Sequence, residues 1–120
     1  TGTEEEIPVP KEAYDIEDVF ISKVRLVIEE NMADYDFAMP QLCQILNMSR
    51  SQLLRKMKAL VGISPSDFIR LHRLQKAKIM LEQNDLTVSE VAYLVGYKDV
   101  SHFSRSFREM FGVPPSQNSK

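Results

Sequence analysis

Two arginines, Arg55 and Arg105, occupy matched places in two short segments whose other residues are small or basic. Arg50, Ser51, Leu54 and Lys58 surround the first; Val100, Ser101, Ser104 and Arg108 surround the second. A guanidinium is a permanently charged planar fork that grips guanine O6 and N7 with two bonds, a discrimination of about 1–3 kcal/mol. Small neighbours let such a fork approach the floor of a groove. Ser51, Ser101 and Ser104 can bond bases or phosphates, or simply face water. Leu54 and Val100 suit thymine methyl groups or a second tier of core packing. Arg50, Lys58, Lys98 and Arg108 read as phosphate ligands, which set register without selecting sequence. The competing reading of each central arginine is an ordinary surface ion pair, with Glu109 or Asp67 as partner.

Charge distribution agrees with that chemistry better than net charge does. The 120-residue chain carries a formal net charge of -2. Residues 1–36 hold eleven acids against three bases, whereas residues 50–108 hold eleven bases against five acids. An acidic front and a basic body still offer a positive surface to a phosphate backbone. Other chemistries find little support. The acids cluster near the start, His72 and His102 lie far apart, and no glycine-rich phosphate loop is present, so nothing assembles a catalytic site. A lone cysteine, Cys43, excludes an internal disulfide, and no metal-ligand spacing or cofactor motif occurs. No apolar run approaches membrane-spanning length, and Glu4, Glu5 and Glu6 stand where a signal peptide would be basic. A cytoplasmic domain without membrane contact is expected.

The elements that must position these residues follow from periodicity and capping. Residues 1–14, with Gly2, Pro8 and Pro10 among acids, read as an acidic linker or tail. A helix is expected from Asp15 or Ile16, with Asp15 as cap and Phe20, Val24, Val27 and Ile28 on its apolar stripe. A short helix over 38–46 puts Leu42, Ile45 and Leu46 inward. Asn47 then suits a left-handed helix end, and Ser49 with Gln52 forms a capping box for a helix over 50–60. Gly62 closes it, and Ser64-Pro65 opens a long helix to about residue 83 whose bases, Arg70, Arg73, Lys76 and Lys78, are spread over its surface. Thr87 with Glu90 caps the next short helix, which carries Val88, Val91, Ala92, Leu94 and Val95. Gly96 turns the chain, and Asp99 caps a helix over 100–110 striped by Phe103, Phe107, Met110 and Phe111.

The second half repeats the first. Leu42-Cys43 and Leu46 match Val91-Ala92 and Val95 at an offset of 49, while Leu53, Arg55, Met57, Lys58 and Gly62 match Phe103, Arg105, Phe107, Arg108 and Gly112 at an offset of 50. Pro65-Ser66 likewise matches Pro115-Ser116. Caps, glycines and arginines that recur together imply two copies of one supersecondary unit. The expected architecture is therefore all-α with about seven helices: a domain over 15–118 in which helix-turn-helix units at 36–64 and 86–112 flank a connecting helix at 65–83. A rod of about 25 Å, plus the width of its units, can hold two groove-reading helices near one duplex turn apart, so that both enter successive major grooves.

The residues Val88-Ser89-Glu90-Val91-Ala92, Val95-Gly96-Tyr97, Ser101-His102-Phe103-Ser104-Arg105, Phe107-Arg108, Phe111-Gly112 and Pro115-Ser116, with Ala77 and Leu81 before them, resemble the signature of the AraC/XylS-type DNA-binding domain. The resemblance covers about 17–118. It implies seven helices, promoter binding that regulates transcription, recruitment of RNA polymerase, and base-reading positions at Ser51, Leu54, Arg55, Val100, Ser101, Ser104 and Arg105. The acidic, proline-containing entry also resembles the junction before this domain in hybrid two-component regulators, implying an upstream receiver or sensor domain. Three positions depart from the pattern. Ala38 replaces a capping serine or threonine; Cys43 fills a slot usually held by alanine and is expected to be a buried, inert thiol; Asn118 replaces an aromatic, which implies a last helix that is short, disordered or truncated. The rival reading is a helical protein-interaction module that docks an acidic partner through the same basic faces.

Overall fold

A computed structural model of the chain describes residues 11–83 and 85–118, with side chains placed for residues 19–83 and 85–117. Among the described residues every regular element is helical: α1 (Lys11–Glu30), α2 (Met39–Leu46), α3 (Arg50–Val61), α4 (Pro65–Gln83), α5 (Val88–Leu94), α6 (Val100–Phe111) and α7 (Pro115–Asn118). The expected linker over 1–14 lies outside the described residues as far as residue 10. Its last four residues belong to α1, a correction, because nothing between Pro10 and Ile16 breaks a helix. Asp15 is thus inside the helix and does not cap it. Asn118 ends a last helix of four residues, short as expected.

Local chemistry sets most boundaries. Ser49 Oγ accepts from the Gln52 N–H at 3.1 Å while Gln52 Oε1 accepts from the Ser49 N–H at 2.9 Å. Thr87 and Glu90 repeat the exchange at 3.1 and 2.8 Å. Asp99 caps α6 by accepting from the Ser101 N–H at 2.8 Å. Asn47, at φ 57°, ends α2 in the left-handed conformation; Gly62 (φ 79°) and Gly112 (φ 83°) end α3 and α6 the same way. Ala38 has no side-chain acceptor to offer α2, and only the reverse half of a box forms, Gln41 Oε1 accepting from the Ala38 N–H at 3.0 Å.

One continuous core runs through both units. Val24, Val27 and Ile28 of α1, Leu42 of α2 and Leu53 and Met57 of α3 are buried with Val91, Ala92, Val95, Phe103 and Phe107 of the second unit. The aromatic rings of α6, with Tyr97 of the turn before it, form a ladder: Tyr97 to Phe103 at 5.3 Å between centroids, Phe103 to Phe107 at 5.8 Å, Phe107 to Phe111 at 4.6 Å. The first unit fills the corresponding places with Leu53 and Met57.

Helix α4 contacts each of the other six described helices. Pro65, Phe68 and Ile69 are buried near its start, and Leu74, Ala77 and Leu81 further on. At about 100° per residue the two sets lie roughly half a turn apart around the axis. The buried side of α4 therefore changes midway, near His72 and Arg73. Several apolar residues stay outside the core: Ile45, expected inward, is 49% exposed, and Leu94 and Ile79 are 45% and 48% exposed. Cys43 is partly rather than fully buried.

Two stability tests follow. Phe103→Ala should cost about 3–5 kcal/mol in urea unfolding, against less than about 0.5 kcal/mol for Ile79→Ser. Ala38→Ser, at an extended cap position (φ -149°, ψ -167°), should raise stability by about 0.5–1 kcal/mol in the same assay.

Candidate nucleic-acid interface

Each second helix of a unit has a buried side and an outward side, in the same register. In α3, Leu53 and Met57 are fully buried, and Ser51, Arg55 and Lys58 are exposed with Leu54 half-buried between them. In α6, Phe103 and Phe107 are fully buried, and Ser101, Arg105 and Arg108 are exposed with Ser104 half-buried. Spacings of three, four and seven residues put each outward set on one helix face. Arg50 is exposed at the first residue of α3; its counterpart Val100 is half-buried and packs on the core, as Leu54 does. Both apolar candidates thus lie at the edge of the outward face, with part of their surface committed to packing.

Neither Arg55 nor Arg105 enters an ion pair among the described residues. Glu109 instead meets Arg70 at 3.8 Å, and both partners are well exposed. Such a pair is worth little in water. Among the described residues no ion pair ties either central guanidinium down, so a bidentate contact with a base would not first require breaking one. Lys98, the phosphate candidate in the second turn, lies over the Tyr35 ring with Nζ 4.7 Å from its centroid. It keeps an exposed position there.

An open cleft of about 680 Å³ brings Lys98 and Arg105 together with Arg70, Arg73 and His102, over a floor that includes Phe37, Met39, Ile69 and Tyr97. Residues of both units line it. His102 is exposed and sets its ring edge-on to Tyr97 at 5.3 Å. His72, by contrast, is tied to its own helix, Nδ1 lying 3.0 Å from the Phe68 carbonyl oxygen and the ring 4.4 Å from that of Phe68. The first-unit set around Arg55 lines no part of this cleft.

Arg73 departs from the sequence expectation. Read as one of several surface bases, it is half-buried, and its Nη2 donates to the Asp34 carbonyl at 2.8 Å and, at the long limit of 3.5 Å, to that of Met32. Its Nε donor has no hydrogen-bond partner among the described residues. Burial pushes the guanidinium below its ordinary pKa, with Tyr97 and Asp34 acting in the opposite direction; an arginine remains charged regardless. Helical periodicity places Arg73 where the buried side of α4 changes over, but that changeover is itself a tertiary fact. The sequence holds no local signal for it.

The helix-turn-helix domain family profile matches residues 42–120. A histidine kinase of Formosa agariphila is 35% identical over 102 residues, which are 85% of this chain and 7% of that protein. The chain spans 7 to 28% of the length of the curated relatives considered. Among solved structures, the C-terminal domain of the two-component response regulator YesN from Fusobacterium nucleatum superposes with a TM-score of 0.76 at 29% identity, covering 82% of this chain and 96% of that one. The DNA-binding domain of the global transcriptional factor AdpA, solved in complex with a target DNA, superposes at 0.73 with 26% identity, covering 80% and 86%. Two helix-turn-helix units on one central helix, with matched outward arginines and these relatives, make the chain a member of the AraC-type helix-turn-helix DNA-binding domain family.

Proposed function

We propose that the domain binds promoter DNA sequence-specifically, α3 and α6 lying in successive major grooves of one duplex, and thereby regulates transcription. The observation that carries this reading is the repeated register: an arginine without an ion pair among the described residues, a serine and a further base turned outward over a buried apolar stripe, once in each unit. Arg55 and Arg105 read guanines; Ser51, Ser101 and Ser104 bond nearby bases or phosphates; Leu54 and Val100 offer apolar edges to thymine methyls. Arg50, Lys58, Lys98 and Arg108 hold the flanking phosphates.

Dimensions support simultaneous engagement. Helix α4, with 19 residues, is about 28 Å long, and the molecule measures 48 × 41 × 23 Å, so its longer sides exceed the roughly 34 Å of one duplex turn. The solved complex of AdpA with its target DNA supports the same use of the fold. The histidine kinase and response-regulator relatives support a place at the output end of a larger signalling protein, behind a receiver or sensor domain. Once on its site, such a domain would regulate by positioning RNA polymerase. Among the described residues no helix is long and apolar enough to cross a membrane; work on promoter DNA supports a cytoplasmic location.

Selection of bound sites from random duplex DNA tests the proposal. The expected product is an asymmetric site with two conserved blocks about one turn apart, bound more weakly as salt rises. No enrichment, with helical content intact by circular dichroism, would overturn it. On the selected site Arg105→Ala should lose about 10-fold or more and relax preference within one block. Lys58→Ala should instead weaken all sequences alike and lower the salt slope by about one.

A further inference from the structure

Three segments distant in sequence meet at Arg73: the turn between α1 and α2, the middle of α4, and the turn of the second unit. The guanidinium donates to the Asp34 and Met32 carbonyls, 39 and 41 residues away. Gly96 packs on the same spot. A Cβ there would collide with the Met32 carbonyl oxygen and lie 2.8 Å from both Nε and Nη2 of Arg73, on a backbone already at φ +92°. The Tyr35–Lys98 ring contact ties the same two turns a second time.

We infer that Arg73, wedged between the 32–34 turn and Gly96, is a positioning residue that sets the distance and phase between the two recognition helices, and so the spacing of half-sites the domain accepts. The inference rests on the DNA-binding reading above. Its force comes from scale. One base pair moves a groove by about 3.4 Å along the axis and turns it by about 34°. A hydrogen bond of 2.8 Å is lost after well under 1 Å of stretch, and the Gly96 contact leaves no space for the opposite movement. A unit displaced enough to follow a half-site shifted by one pair must therefore leave this contact. The unpartnered Nε points the same way: a partly buried charge with an unsatisfied donor is a poor device for stability alone, and a polar contact of this kind serves to specify one arrangement over its neighbours.

The test uses the full 120-residue chain and a selected site, altered by inserting or deleting one base pair between its blocks. The wild type should lose 10-fold or more on either altered duplex. Arg73→Met, which keeps the apolar stem and removes the bonds, should shrink that penalty to 3-fold or less while base preferences within each block persist. Tyr35→Leu, an exposed change that leaves the core untouched, should reduce the penalty by at least 2-fold and decides the matter if Arg73→Met does not fold. A folded Arg73→Met chain with the wild-type spacing penalty, or with equal loss on all three duplexes, overturns the inference. So does a wild type indifferent to spacing, which leaves DNA binding standing. A wild type that enriches no site at all refutes the DNA reading itself.

Discussion

The fold depends on α4 serving two cores at once. A helix wetted along one side needs a single apolar stripe, but this one lies between two units and must bury Phe68 and Ile69 on one side, then Leu74, Ala77 and Leu81 on another. That requirement leaves little apolar periodicity along its sequence. It also makes the helix the common reference for both recognition helices, since every other described helix contacts it. Its charged residues accordingly work across elements: Arg70 toward α6, Lys76 toward Glu29 of α1, Lys78 toward both Glu82 and the Phe111 ring, 5.6 Å away.

Electrostatics at the outward faces follows from the same economy. Among the described residues the exposed ion pairs join α4 to its neighbours or to itself at 3.4–3.8 Å, and none involves the arginines of α3 and α6. A net charge of -2 is compatible with a duplex partner, because eleven of the acids fall within the first 36 residues while residues 50–108 carry eleven bases against five acids.

Features that depend on neighbouring residues alone were legible in the sequence. The boxes at Ser49 and Thr87, the cap at Asp99, the left-handed ends at Asn47, Gly62 and Gly112 and the duplication of the units all follow from chemistry within a few residues. Features decided by the meeting of distant segments were not. Ile45 and Leu94 obey helical spacing yet stay exposed, because short helices of eight and seven residues have only one face against the core and theirs is filled by Leu42 and by Val91 with Ala92. Ser106 looks like a surface residue and is buried. Arg73 carries no mark distinguishing it from Arg70, three positions away. The outward register of the candidate site was readable because it is the complement of a regular stripe; the cleft that joins Lys98, His102 and Arg105 was not, since two units form it.

The duplicated units are not equal in build. Where the second stacks Phe103, Phe107 and Phe111, the first relies on Leu53 and Met57, and where the second opens on a full threonine–glutamate box, the first opens on Ala38. Methionine repacks readily, and an uncapped helix start frays first. By that physics the first unit is the one expected to breathe more in the native state, and the aromatic second unit the stiffer. In the DNA-binding reading proposed above, such a build gives one anchor and one adaptable arm, with more tolerance of changed bases beneath the arm.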